Sequence, residues 1–148
     1  MDIEIPTVEI STDPARLDRE LIYRFLSKES YWARGVPREI VERDIANSIQ
    51  FGVYLGESQI GFARVVTDRA THGWLADVFI LEESRGRGYG KALVAAILDH
   101  PDLQGFRRWL LATKDAHGLY AQFGFEPLPE PGRFMQRHRP DVYVEQVA

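Results

Sequence analysis

The segment RGRGYGK at residues 85–91 decides the fold of this chain. It lies between an apolar run over residues 74–81 and a stretch with helical apolar spacing over residues 92–98. Glycines at alternate positions let the backbone turn sharply and approach a bound group closely. The N-terminus of the following helix offers free N–H donors and a partial positive charge, to which the two arginines and the lysine add formal charge. A strand, a glycine loop and a helix in this order predict an anion site for a phosphate or pyrophosphate.

The elements on either side of this loop predict one mixed α/β domain. An N-cap signal at residues 11–14 precedes a helix that ends near Ser30, and Pro37 opens a second helix. A short helix ended by Gly124 follows the loop later in the chain. The predicted strands cover residues 4–10, an antiparallel meander at 51–55, 60–66 and 74–81, residues 108–112, and a proline-broken strand from Phe125 that resumes over 134–137.

Composition limits the classes of protein to consider. A chain of 148 residues with 45% hydrophobic residues predicts a single domain over residues 1–148 with a substantial core. The absence of cysteine excludes disulfides, thiolate metal sites and cysteine nucleophiles. A net charge of −4 argues against a general polyanion binder, so we expect no nucleic-acid partner. Without a basic, apolar leader or a run of about 20 apolar residues, we expect a cytoplasmic protein with no membrane partner.

Other glycine-loop sites fit this segment less well. A P-loop needs a serine or threonine after the lysine, whereas Ala92 follows Lys91. A dinucleotide fingerprint needs a third glycine where Lys91 stands, and an acidic residue after the next strand, where residues 110–112 are Leu-Leu-Ala. A nucleic-acid-binding module that uses the basic loop remains an alternative function, although the wide basic surface typical of such modules is missing.

Two short motifs are more specific than the glycine loop alone. The first is Arg85-x-x-Gly88-x-Gly90, and the second is the segment AHGLYAQFGF at residues 116–125. They resemble the [QR]-x-x-G-x-[GA] and A-x-x-L-Y-x-x-x-G-F motifs of the GNAT (Gcn5-related N-acetyltransferase) superfamily, and the likeness is strongest over residues 59–128. The resemblance implies a single-domain α/β fold with a mixed, mostly antiparallel central sheet flanked by helices on both faces.

The resemblance also implies a binding site for acetyl-CoA, as a co-substrate and without a metal. In this family the glycine loop receives the pyrophosphate on backbone N–H groups, and the pantetheine arm lies beside the preceding strand. An N–H of Val78 or Phe79 would then polarise the acetyl carbonyl. Thr113 stands where many members have an asparagine that contacts pantetheine. The implied cofactor-binding residues are Val78, Phe79, Ile80, Arg85, Gly86, Arg87, Gly88, Tyr89, Gly90, Lys91 and Thr113.

Two residues are candidates for proton transfer. Tyr120 matches the family tyrosine that protonates the departing thiolate, and a phenol with a pKa of about 10 suits that task. Some members carry a glutamate as general base where this chain has Trp74. Asp77, further along the same strand, is the candidate base, with a structural aspartate, His117 or an ordered-water relay left open.

The acceptor site is predicted to be formed by the loop between the first two helices and by the turn of the meander. Tyr31, Trp32 and Trp74 offer aromatic walls and Arg34 a cation, which suits a small amine or a peptide N-terminus. The resemblance therefore implies direct acetyl transfer from acetyl-CoA to a primary amine, with a noncatalytic acyl-CoA-binding or regulatory protein as the alternative within the fold. Predicted edge strands near Phe134 are compatible with a homodimer.

Overall fold

The computed structural model describes residues 7–145, which form a five-stranded sheet with helices on both faces. The strand order is the chain order, with antiparallel pairing throughout the first four strands and parallel pairing between the last two. The predicted mixed, mostly antiparallel sheet is confirmed. The strands are β1 (Glu9–Ser11), β2 (Ile49–Leu55), β3 (Ser58–Thr67), β4 (His72–Ile80) and β5 (Arg108–Leu110).

Five helices accompany the sheet in the described part of the chain. The first begins at an N-cap aspartate, Asp18, whose carboxylate accepts from the N–H of Leu21, and it continues as a π-helical turn over Phe25–Glu29. The glycine-loop helix begins at Tyr89, three residues earlier than predicted. The helices are α1 (Arg19–Arg24), α2 (Arg38–Ala46), α3 (Tyr89–Leu98), α4 (His117–Ala121) and α5 (Val142–Glu145).

The core consists of two layers, one on each face of the sheet. Alternate side chains of a strand point to opposite faces, so one sheet fills both layers. On one face α1 and α2 cover Phe62 and Phe79, and the ring of Phe25 stacks on Phe79 with 3.9 Å between centroids. On the other face α3 supplies Leu93, Val94 and Ile97, which pack against Ile49, Phe51, Val53, Ala63, Val65 and Leu75.

An irregularity in β4 changes which side chains face which layer. The pairing with β3 shifts between Phe62 and Arg64, so β4 contains one extra residue, and Asp77 adopts a left-handed φ of 54°. In a regular strand Leu75 and Phe79 would share a face, but here Leu75 packs towards α3 and Phe79 towards α1 and α2. The bulge also turns the carboxylate of Asp77 towards Arg64 on the α2 side.

The prediction of a last strand is wrong. Among residues 7–145 no strand follows β5, and the chain from Phe125 to Pro140 contains only a 3-10 turn at Pro131–Arg133. The prolines in this segment lack N–H donors for a sheet ladder. Phe134 instead lies near the guanidinium of Arg108, 5.0 Å from its ring centroid, so the predicted pairing of two chains through an edge strand there loses its basis. The first strand is shorter than predicted, and the predicted residues 4–6 lie outside the described part.

Candidate active site

The glycine loop has the geometry of an anion site. Gly86 and Gly88 adopt φ values of 77° and 84°, and a Cβ at either position would meet nothing within 4 Å, so these glycines are needed for backbone conformation. Gly88 is the N-cap of α3. Within residues 7–145, the amides of the six consecutive residues 86–91 donate to no other group. Unpaired donors at a helix N-terminus, where the helix dipole is positive, suit a phosphate.

The cations of the loop lie around these amides. Arg85 donates through Nε to the carbonyl of Ile80 at 2.8 Å, which ties the loop to the end of β4. Arg87 and Lys91 are exposed, and Tyr89 is buried beneath the loop in the α3 layer. Gly90 comes close to α4, because a Cβ there would lie 3.6 Å from Leu119 Cδ2. The loop therefore presents backbone donors and exposed positive charge to one side.

The sheet has a gap beside the part of β4 that precedes the glycine loop. The parallel pairing of β4 with β5 covers only residues 72–74, so the rest of β4 is paired on the β3 side alone. The gap opens into a cavity of about 600 Å³, a volume typical of small-molecule sites. Val78, Thr113 and Tyr120 line this cavity. Phe79 and Ile80 follow in β4 and carry the strand towards the glycine loop.

Tyr120 lies on α4 and lines the cavity. It is 7% exposed, and burial raises the pKa of its phenol to about 12 with a smaller contribution from Tyr31. The phenol therefore stays protonated at neutral pH, as a proton donor requires. Thr113 positions this helix, since its Oγ1 accepts from the N–H of Ala116 at 3.1 Å. Tyr120 and Thr113 also line a second cavity of about 820 Å³ between β5 and residues 123–134.

The aromatic wall is supplied by the loop after α1 and by β4. Ser30 is buried and anchors this loop, because its Oγ donates to the carbonyl of Leu26 and accepts from the N–H of Ala33. Tyr31 and Trp32 are 54% and 42% exposed, pack edge to face, and line the cavity together with Trp74. The fourth predicted substrate residue, Arg34, is exposed and is not among the residues that line this cavity.

Asp77 is a paired carboxylate. Its Oδ2 accepts from Nε of Arg64 at 2.6 Å, and its Oδ1 accepts from Nε1 of Trp32 at 2.7 Å. The side chains of Asp77 and Arg64 are only 8% and 19% exposed, so this pair is much less screened than a surface ion pair. Both carboxylate oxygens of the predicted base are therefore already engaged by donors. The pair fixes the indole of Trp32 and holds the bulge in β4.

Asp44 is a cavity residue that the sequence did not single out. It lies on α2, its Oδ2 is 3.8 Å from Nε of Arg64, and its Oδ1 is buried without a partner among the described residues. Burial raises its pKa to about 6, with further contributions from Asp77 and Glu42, while Arg64 opposes the shift. An acid between the buried Val41 and Ile45 of an amphipathic helix is a signal that would have identified it.

Residues 7–145 lack the features of two other kinds of site. No three side chains of the His, Cys, Asp or Glu type come together there as metal ligands would. None of the helices in these residues has the length and apolar character to cross a membrane.

Comparisons with known proteins identify the family of this chain. A model of the Acetyltransferase (GNAT) family matches residues 19–125. A crystal structure from Xanthomonas campestris pv. campestris, assigned to the GNAT acetyltransferases, is 50% identical, with a TM-score of 0.92, and covers 95% of this chain and 99% of that chain. A curated relative from Gibberella zeae, assigned as an acetyltransferase, is 32% identical, and the match covers 76% of this chain and 75% of that protein.

A more distant structure shows how widely this fold is shared. An assigned acetyltransferase from Deinococcus radiodurans R1 is 15% identical, has a TM-score of 0.74, and covers 97% of this chain and 96% of that chain. At this level of identity the similarity concerns the fold alone.

Proposed function

Since this chain belongs to the GNAT acetyltransferase family, we propose that it transfers an acetyl group from acetyl-CoA to a primary amine of a small molecule or peptide. One observation carries the proposal. Six consecutive amides at residues 86–91 lack partners among the described residues, and the strand that precedes this loop lines a cavity together with Tyr120. A ligand with a pyrophosphate at one end and a reactive group at the other fits this arrangement.

The residues of the chain have separate tasks in this reaction. The amides of residues 86–91 bind the diphosphate, and the free edge of β4 at Val78, Phe79 and Ile80 aligns the pantetheine arm. An N–H of Val78 or Phe79 donates to the thioester oxygen, where charge develops during attack, and such a donor contributes about 2.7–4 kcal/mol. Thr113 holds the helix that carries Tyr120.

The chemical step is a direct displacement. The neutral amine nitrogen attacks the thioester carbonyl carbon, a C–N bond forms, and the C–S bond breaks. Tyr120 gives its proton to the leaving thiolate and recovers one as the nitrogen loses its N–H proton. The products are an N-acetyl compound and coenzyme A. Holding both reactants in one cavity supplies the proximity that a direct attack requires.

The experiment that tests this proposal measures the release of coenzyme A. The protein has no cysteine, so a thiol reagent detects the released thiol without background from the chain. We expect release from acetyl-CoA only in the presence of a primary amine, and mass spectrometry should show the product heavier by one acetyl group. A donor concentration of 100 times Kd should stabilise the fold by about 2.7 kcal/mol, visible as a rise in Tm.

Other results would contradict the proposal in distinguishable ways. A rise in Tm with acetyl-CoA but no thiol release with any amine would indicate a noncatalytic acyl-CoA-binding protein. Salt-sensitive RNA or DNA binding, with no response to acetyl-CoA, would indicate a nucleic-acid-binding module that uses the basic loop.

A further inference from the structure

We propose that Asp44 is the general base of this protein and that the cavity selects cationic amines with an apolar or aromatic body. This inference rests on the proposed acetyl transfer and adds the residue that removes the proton and the class of acceptor. It arises from a group of three side chains from three elements, Asp44 of α2, Arg64 of β3 and Asp77 of β4, which we call the acidic cluster.

The acidic cluster has an unbalanced charge. Two carboxylates share one guanidinium, so the cluster carries one negative charge more than it neutralises when both acids are ionised. All three side chains line the same cavity as Tyr120 and Val78. A ligand ammonium group in the cavity would supply the missing positive charge at low solvent exposure, where an ionic contact is stronger than on the surface.

The two carboxylates of the acidic cluster differ in their contacts. Asp77 uses both oxygens to accept from Arg64 and Trp32. Asp44 is 3.8 Å from Arg64 Nε through Oδ2, and its Oδ1 has no partner among residues 7–145. A buried acceptor without a donor costs free energy, and such a cost is typical of a functional group or of a site for an ordered water. Asp77 is therefore a positioning residue, which holds Arg64 and Trp32, while Asp44 is free to accept a proton.

The surroundings of Asp44 favour its protonation. Charged and titratable groups face it from every neighbouring element: Glu42 from α2, Arg64 from β3, Asp77 from β4 and Tyr143 from α5. Ser48 bridges two of these elements, because its Oγ accepts from Arg64 Nη1 and donates to the carbonyl of Asp44. Burial and the second carboxylate raise the pKa of Asp44 to about 6, closer to the operating range of a general base.

The walls of the cavity indicate what the rest of the acceptor is. Trp32, Trp74, Tyr31 and Tyr143 line it, with Leu26 and Val36 between them. Aromatic faces attract cations and pack against apolar rings. They also remove water from the ammonium group, which disfavours its charged form and partly offsets the attraction of the acidic cluster for the cation. A compact arylalkylamine or alkylamine suits this lining better than a sugar amine or a polyanion.

The proton balance is complete without a further reactant. The ammonium gives one proton to Asp44, so an N–H bond breaks and an O–H bond forms, and the neutral amine can attack. The second nitrogen proton leaves as the amide forms and replaces the one that Tyr120 donates to the thiolate. Asp44 then releases its proton to solvent. The sum is ammonium plus thioester giving amide, thiol and one proton.

The first test uses benzylamine as acceptor and compares Asp44→Asn with the wild-type protein. We expect kcat/KM of the wild type to fall at acid pH with an apparent pKa near 6. In Asp44→Asn this acid limb should be absent, and kcat/KM at pH 8 should be lower by roughly 10²–10⁴-fold. Glu39→Gln, which removes an exposed carboxylate from the same helix, is the matched control and should keep the wild-type profile.

The second test needs no turnover. Binding of benzylamine and of its neutral counterpart, benzyl alcohol, is measured by calorimetry at pH 8 and pH 5 on the wild type. Protonation of Asp44 removes the charge that holds the ammonium group, so we expect amine affinity to fall by up to about tenfold and alcohol affinity to stay constant. This comparison remains valid should Asp44→Asn fail to fold.

The outcomes separate the two proposals. An active wild type in which Asp44→Asn keeps the same pH profile, or amine binding that is identical at both pH values, would refute the role of Asp44 and leave acetyl transfer intact. A wild type that binds acetyl-CoA and releases no coenzyme A with any amine would refute the proposed function, and the role of Asp44 as base would fall with it.

Discussion

The glycine loop and the acidic cluster are built in opposite ways. The loop uses main-chain amides of consecutive residues, whereas the cluster uses side chains of three separate elements. A backbone site depends on conformation more than on side-chain identity, so it suits a ligand that many proteins share. A side-chain site depends on which residues meet across the fold, so it suits an acceptor specific to one protein. Four predictions test this contrast.

The largest effect is expected where the two regions meet, at Tyr120. Tyr120→Phe removes only the hydroxyl, so the rate of acetyl transfer should fall roughly 10²–10⁴-fold. The binding constant for acetyl-CoA and the Tm should stay close to wild type, because the ring keeps its packing against Phe125. Steady-state kinetics measure the rate of transfer, and thermal unfolding with and without acetyl-CoA measures the Tm and the binding of the donor. An unchanged turnover number would remove the phenol from the reaction.

The next effect concerns the pair of Asp77 and Arg64. Asp77→Ala leaves the half-buried guanidinium without its closest partner, so the free energy of unfolding should fall by about 1.5–3 kcal/mol. Asp102→Ala is the matched control, because Asp102 pairs with Arg69 on the surface, where both side chains are more than half exposed. It should cost less than about 1 kcal/mol. If Asp77→Ala and Asp102→Ala lower the free energy of unfolding in urea equally, burial does not strengthen the ion pair of Asp77 and Arg64.

The glycine loop should respond to backbone strain alone. Gly88→Ala meets no atom within 4 Å but forces a side chain into a left-handed conformation, so it should cost about 1–2 kcal/mol and weaken acetyl-CoA binding. Gly118→Ala, within α4 and without a left-handed φ, should instead gain about 0.5–1 kcal/mol. Urea unfolding of both variants decides the matter. If both substitutions change the free energy of unfolding in the same direction, the left-handed φ of Gly88 does not determine the stability of the loop.

The smallest effect is a pH-dependent stability difference at Asp44. Its pKa is about 6 in the folded protein, raised from the ordinary value of 3.8 that the unfolded chain retains. Folding therefore takes up a proton between these values, and the stability from this group falls as pH rises through that window. Asp44→Asn should be more stable than wild type at pH 8, by roughly 1 kcal/mol after screening, or about 2–4 °C in Tm.

Unfolding under acid conditions completes this measurement. The advantage of Asp44→Asn should disappear as pH falls below 3.8, where the carboxyl becomes protonated in both states. A stability gain on removal of a charged group is the signature of a residue kept for function rather than for folding. Were Asp44→Asn less stable at pH 8, the carboxylate would be a structural partner of Arg64.

Local chemistry made much of the molecule predictable. The glycine loop, α2, the meander and the short helix with Tyr120 follow from capping residues, periodicity and positive-φ glycines that act within a few residues. The predicted N-cap at residues 11–14 instead begins a 3-10 turn at Pro14–Arg16, and α1 begins later, at Arg19. The exposed aromatic residues Tyr31 and Trp32 do line a cavity. The roles of these residues in binding and catalysis remain predictions until they are measured.

The errors have separate local causes. The last strand was predicted from apolar residues near Phe125 and Phe134, but the prolines between them lack the donors that a ladder needs, and an arginine covers the ring of Phe134 instead. Arg34 was expected in the acceptor site because it adjoins two aromatic residues in sequence, yet it lies outside the cavity lining. The side chains of residues that are neighbours in sequence point in different directions where the chain turns.

The order of residues alone determined that this chain has an anion loop between a strand and a helix, since glycine conformation and helix N-termini are local properties. Only the tertiary structure decided which carboxylate is free. An extra residue in β4 turns Asp77 towards Arg64 and Trp32, and the packing of α2 brings Asp44 to the same guanidinium with one oxygen unpaired. Burial and the proximity of charges are properties of three-dimensional contacts, and no sequence spacing contains them.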